Sequence, residues 1–159
     1  MPIETSYGTA GQAFTITLNS LASSATAARQ STEISNATPL SLDALVFVIL
    51  EIQTGTIGSD RCAYVYAFGS ANDGTDRTEG AGASDAALTQ NDPTNLPLIG
   101  VVNMPSQSTV YRAGPFSVAR AFGGILPARW GIVVRNFCGI TLRSTGNSAH
   151  YQLIEATVT

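Results

Sequence analysis

The chain contains no lysine: its eight basic residues are all arginine. Charged residues make up only 12% of its 159 residues, about half the usual share of roughly 25%. A surface so poor in charge must be covered by Ser, Thr, Asn, Gln, Gly and Ala, which suits a protein held in a large assembly. The net charge is −3 and no basic run occurs. This argues against direct nucleic-acid binding, which needs clustered Lys and Arg to neutralise phosphates. Arginine is less strongly hydrated than lysine and forks onto carboxylates, so an all-arginine set favours interfaces. Codon bias explains it equally well.

Histidine occurs once, as His150. A Ser-His-Asp arrangement would have to use it, and no Gly-x-Ser-x-Gly elbow precedes it. The expectation is a strand-edge or surface imidazole and no catalytic residue. The two cysteines, Cys62 and Cys138, lie in apolar runs and read as buried free thiols, with a disulfide as the alternative if their strands are neighbours. Two are too few for a metal site, and no metal or other cofactor is expected. No basic start with an apolar stretch marks a signal peptide in Met1-Pro2-Ile3-Glu4-Thr5. Without one, the acceptor triplet Asn36-Ala37-Thr38 carries no weight. The longest apolar run, Ala44 to Leu50, is too short to span a bilayer, so no membrane partner is expected.

No long segment keeps a helical i, i+3, i+4 pattern. Short β-branched and aromatic runs recur instead, separated by Gly, Ser, Asn, Asp and Pro. Ala13 to Leu18 alternates, with Phe14, Ile16 and Leu18 on one face. Ser20 to Arg29 reads as a loop, and Ser31 to Ile34 as a short strand. Leu42 to Gln53 is the strongest strand. Arg61 to Gly69 puts Cys62, Tyr64, Tyr66 and Phe68 on one face. Leu96 to Val102 and Thr109 to Ala113 read as a strand pair turned at Asn103 to Ser108. Phe116 to Phe122 fits either a strand or one helical turn. Trp130 to Cys138 and Tyr151 to Val158 complete about eight strands. The predicted fold is all-β: residues 1–159 as a single-domain antiparallel β-sandwich, jelly-roll-like, with an N-terminal arm 1–11 and a long loop 70–95.

The loop is polar and rich in Gly and Asn. Its acids, Asp73, Asp76, Glu79, Asp85 and Asp92, lack the ordered spacing of a calcium-binding hand and read as solvated. Gly80-Ala81-Gly82-Ala83-Ser84-Asp85 lacks the lysine of a P-loop. Trp130, Tyr64, Tyr66 and Phe68 could form a sugar-stacking platform, although core packing explains most of them.

Several stretches resemble small jelly-roll virion structural proteins of tailed bacteriophages, of the head decoration or cement type. They are Tyr64-Val65-Tyr66-Ala67-Phe68-Gly69-Ser70, Leu98-Ile99-Gly100-Val101-Val102, Gly114-Pro115-Phe116-Ser117-Val118, Phe122-Gly123-Gly124 and Pro127-Ala128-Arg129-Trp130-Gly131-Ile132-Val133-Val134. They spread over about the last two-thirds of the chain. The first third matches in style, through Asp43-Ala44-Leu45-Val46. The resemblance implies no enzyme activity and no cofactor. It implies a virion component, synthesised in the host cytoplasm, that binds the major capsid protein at the capsid surface and stabilises the head. The alternative is a carbohydrate- or receptor-binding module of a head or tail fibre.

Candidate interface residues follow from pattern. Leu45 to Leu50 is apolar on both faces. If Val46, Val48 and Leu50 fill the core, Leu45, Phe47 and Ile49 need cover from Ser20 to Arg29 or from a sister copy, and the reverse holds if the other face is inside. A homo-oligomer, as a dimer or trimer, is therefore expected. The arm Met1 to Gly11 and the loop Ser70 to Asn95 are expected to touch partners outside the core. Arg77, the only basic group among the loop acids, is the candidate anchor; its local alternatives are Asp73, Asp76 and Glu79. Deleting Asp76 to Ser84 is expected to leave the fold intact and weaken particle binding.

Overall fold

The computed structural model describes residues 3–37 and 40–158. Met1 and Pro2 of the expected arm, Thr38 of the acceptor triplet and Thr159 lie outside the described residues. Among the described residues eleven strands follow in chain order: β1 Ile3–Tyr7, β2 Gln12–Ala13, β3 Ala27–Gln30, β4 Ile34–Ser35, β5 Ser41–Glu51, β6 Cys62–Ser70, β7 Ala86–Thr89, β8 Leu98–Asn103, β9 Val110–Ser117, β10 Arg129–Asn136 and β11 Ser148–Val158. The first sheet runs β1-β11-β5-β9 with β2 beside β11, and the second runs β7-β3-β10-β6-β8 with β4 beside β10. All pairings are antiparallel. Without the accessory strands β2, β4 and β7, the two sheets are β1-β11-β5-β9 and β3-β10-β6-β8. That is the order of a jelly roll, so the expected fold class holds.

Alternation builds the core between the sheets. Ala44, Val46, Val48 and Leu50 of β5 are fully buried against Ala63, Val65 and Ala67 of β6 and Trp130, Ile132 and Val134 of β10. Trp130 packs edge-on to Phe14 and Tyr151, with ring centroids 5.8 and 5.5 Å away. Such contacts add to the area they bury. Gly114 sits where the β5–β9 register shifts between Val46 and Val48. A Cβ there would lie 2.4 Å from the Val46 carbonyl oxygen, so only glycine permits this approach.

Several local expectations need correction. Ala13 to Leu18 is extended, but only its first residue belongs to a strand. Phe14 and Leu18 still point inward and Thr15 and Thr17 outward, because alternation needs an extended backbone and not a ladder. The expected β8–β9 hairpin does not form: β8 pairs with β6, and β9 with β5. The connector crosses between the sheets and carries Met104, fully buried in the core. Phe116 to Phe122 is both things in turn, the end of β9 and then a 3₁₀ turn at Ala119–Phe122. The arm is no free extension in its described part: β1 pairs residue by residue with the end of β11.

The loop 70–95 is also not free. It contains a 3₁₀ turn at Thr78–Gly80 and the strand β7, which pairs with β3. Its Ala81, with Leu96 just beyond, covers a second apolar cluster made by Phe68, Tyr66, Val133 and Ala28. The chain thereby closes the outer face of the second sheet with its own loop.

Candidate functional site

The loop is fastened by charge as well as by apolar contact. Glu33, next to β4, accepts a hydrogen bond from the Arg77 Nε. Arg129 lies 3.8 Å from the same carboxylate and bonds Asp73 at 2.8 Å. Arg77 therefore finds its carboxylate within the chain, in Glu33 and not in the local Asp73, Asp76 or Glu79, and its side chain is only 15% exposed. This corrects its reading as an anchor held out to a partner. Farther on, Asp85 accepts from Arg29 and from the Thr17 hydroxyl. Burial pushes the Asp85 carboxyl up, but these donors outweigh it and hold the group below its ordinary value. Buried Gln30 donates to the Ser84 and Gly82 carbonyls at 2.6 and 3.0 Å and accepts from the Gly82 amide.

The aromatics do not form an open platform. Trp130 and Phe68 are fully buried and Tyr66 nearly so. Half-buried Tyr64 lies beneath the Arg135 guanidinium, 4.9 Å from its ring centroid, and the same guanidinium is 5.4 Å from Tyr66. The Arg135 Nη1 donates to the Ala25 carbonyl at 2.8 Å. Core packing with the cation–π contacts of Arg135 accounts for the group.

The outer face of the first sheet differs. Ser20 to Arg29 runs into β3 of the other sheet and so does not cover it. Phe47 is 42% exposed, and Leu45 and Ile49 are half-buried. Register brings His150 opposite Phe47, Gln152 opposite Leu45, and Ser148 opposite Ile49. Pro115 adds the other wall, and with Leu45, Phe47, His150, Gln152, Gly11 and Tyr151 it encloses a shallow hollow of about 260 Å³. A second hollow of about 410 Å³ lies where β8 approaches β9, lined by Leu98, Ile99, Gly100, Phe116 and Arg120, and it shares Pro115 with the first. Gly100 makes room for the Phe116 ring, whose nearest carbon would stand 2.4 Å from a Cβ.

This surface is apolar and nearly uncharged, with exposed Arg112 opposite Ile49 at its margin. Its chemistry is contact and dehydration. His150 lies 3.1 Å from the Ser148 hydroxyl. The two are i, i+2 neighbours on one strand face, a spacing any strand supplies. Among the described residues no carboxylate bonds the imidazole, and no three His, Cys, Asp or Glu side chains gather to hold a metal. Sequence reasoning found Leu45, Phe47 and Ile49 because three apolar residues faced the wrong way. It missed Pro115, His150 and Gln152, which only the register places beside them. Cys62 and Cys138 are both buried and unlinked. No known protein family matches the chain, and neither does any curated protein or any solved structure.

Proposed function

We propose that this chain is a non-enzymatic virion structural protein that docks on the major capsid protein of a tailed-phage head and stabilises it as a decoration or cement subunit. The observation that carries this reading is the contrast between two sheet faces. The chain spends a loop of some two dozen residues closing one apolar face and leaves the other open. Withholding a phenylalanine and two aliphatic side chains from water favours docking by about 1.5–3 kcal/mol for each one fully buried. A patch of this kind on a monomer marks an interaction surface. The jelly-roll order and the sequence resemblance support the same assignment, as do the weakly charged surface and the lack of a basic patch. The working location is the capsid surface, reached after synthesis in the host cytoplasm. Neither membrane nor nucleic acid enters the reading. Cryo-electron microscopy of particles assembled with and without the chain tests it. Density for the jelly roll on the shell, with β5 and β11 facing inward, is the expected result. Bare shells in the presence of excess chain would end the proposal.

The second reading is a carbohydrate- or receptor-binding module of a head or tail fibre. The hollow bounded by Arg120 and Phe116 favours it, because it pairs a forked donor with an apolar wall. A glycan array decides, and silence across host-surface sugars removes this reading.

A further inference from the structure

We propose that β1 is a dimerisation strand: two copies join their Ile3–Tyr7 edges antiparallel about a two-fold axis at Thr5, fusing two first sheets into one. This deepens the self-association expected from sequence and moves it from Leu45, Phe47 and Ile49 to a sheet edge. It requires no particular shell.

The first sheet ends at β1, whose one described partner is β11. β5 stops opposite Glu155, the last of its pairs with β11. The remaining β11 residues and the facing part of β1 therefore project as a two-stranded ribbon. All five β1 residues are exposed, Ile3 at 71% and Tyr7 at 70%. A two-stranded ribbon is marginal in water without a third neighbour. An unpaired regular edge is a template for another strand.

The other sheet edges are blunted. β9 contains Pro115, which has no N–H, next to a register shift. β8 has a register shift of its own against β6. β7 has four residues and runs on into Asp92-Pro93. β1 has no such device, and its one charge is Glu4.

The occupant follows from register. The Gly8 amide donates to the Leu153 carbonyl at 2.9 Å. Gly8, Ser6 and Glu4 therefore direct their backbone groups toward β11. Tyr7, Thr5 and Ile3 direct theirs to the free edge. A second β1 centred on Thr5 pairs Thr5 with Thr5, and Ile3 with Tyr7 twice, making on the order of six backbone hydrogen bonds. The aliphatic–aromatic pairs are favourable cross-strand neighbours. Each Glu4 then faces a Ser6. Centring on Glu4 would set two carboxylates opposite each other, and centring on Ser6 would lose hydrogen bonds. The strand is thus complementary to itself in one register, as an isologous contact requires.

A five-residue edge falls short of the roughly 1,200 Å² at the low end of stable interfaces, so the dimer is expected to dissociate on dilution. Sedimentation of the purified chain from micromolar to about 1 mM tests this, with no shell present, so its outcome is separate from that of the docking proposal. The expected mass rises to twice that of one chain as concentration increases. Thr5→Pro removes only an outward N–H, so the variant should stay folded by circular dichroism and monomeric throughout. Thr5→Cys should cross-link to a dimer under oxidation, since opposed Cα atoms stand about 5.5 Å apart. A wild-type monomer at every concentration overturns the proposal, as does a Thr5→Pro variant that still dimerises. A dimer that Thr5→Cys does not cross-link overturns the register.

Discussion

Glu33 has one carboxylate and two guanidinium neighbours, Arg77 and Arg129, and it is only 9% exposed. Glu33→Gln removes the charge while keeping the shape, so Arg77 loses its carboxylate in a half-dry place, while Arg129 keeps Asp73. The expected cost is about 2 kcal/mol, below the 3–5 kcal/mol of a fully buried pair because both arginines reach water. Urea unfolding reads it as a lower midpoint at unchanged slope, and limited proteolysis should open within residues 71–84. Asp85 gives a pH dependence. Its carboxyl titrates lower in the folded chain than in the unfolded one. The stability it contributes is therefore complete above the unfolded value of about 3.9 and is lost as pH falls through the lower folded value. Asp85→Asn should lower stability at pH 7 and flatten the acid limb of the stability curve. An unchanged acid limb would show that Arg29 and Thr17 do not hold this carboxylate. Phe47→Ser acts on the open face. It should move stability by no more than about 0.5 kcal/mol and weaken shell binding about tenfold, ~1.4 kcal/mol, in a co-sedimentation titration.

Among the elements, the segment from Ser70 to Leu96 is a lid belonging to the fold. Leu96→Ala should cost about 2–4 kcal/mol, measured by denaturant, because Leu96 seals Phe68 and Val133 from outside. The same geometry reverses the expected result of deleting Asp76 to Ser84. Losing Arg77 and Ala81 together should destabilise the chain and uncover Tyr66 and Phe68, detectable by dye binding. That lid was illegible in the sequence, since Gly, Ala and Asn give no period and its strand β7 is Ala-Ala-Leu-Thr. β3, Ala-Ala-Arg-Gln, was hidden for the same reason. Such strands are made by their neighbours, and tertiary pairing overrides propensity there. β5, β6 and β10 were legible because burial forces branched and aromatic residues onto alternate positions. Which strand pairs with which is not written in that alternation, so β8 and β9 were joined as a hairpin although they lie in different sheets. The candidate face was half legible likewise: Phe47 announced itself, whereas Pro115 and Gln152 are ordinary until register sets them beside it.

At the scale of the molecule, nearly every stabilising contact joins distant parts of the chain. β1 pairs with β11, β5 with β11, and β3 with β10. Loops must close before such contacts form, so refolding from urea is expected in milliseconds to seconds; stopped-flow fluorescence of Trp130 measures it. A microsecond phase carrying the full amplitude would contradict the topology. The position of β11 has a further consequence, for synthesis. It is the last described strand to leave the ribosome, yet it stands between β1 and β5. A nascent chain short of Ser148 has no centre to its first sheet, and it also lacks one wall of the hollow, because His150 and Gln152 complete what Leu45 and Phe47 begin. Docking through that hollow would therefore sort finished chains from fragments: a prematurely terminated product carries the apolar strand but not the surface that a shell would recognise.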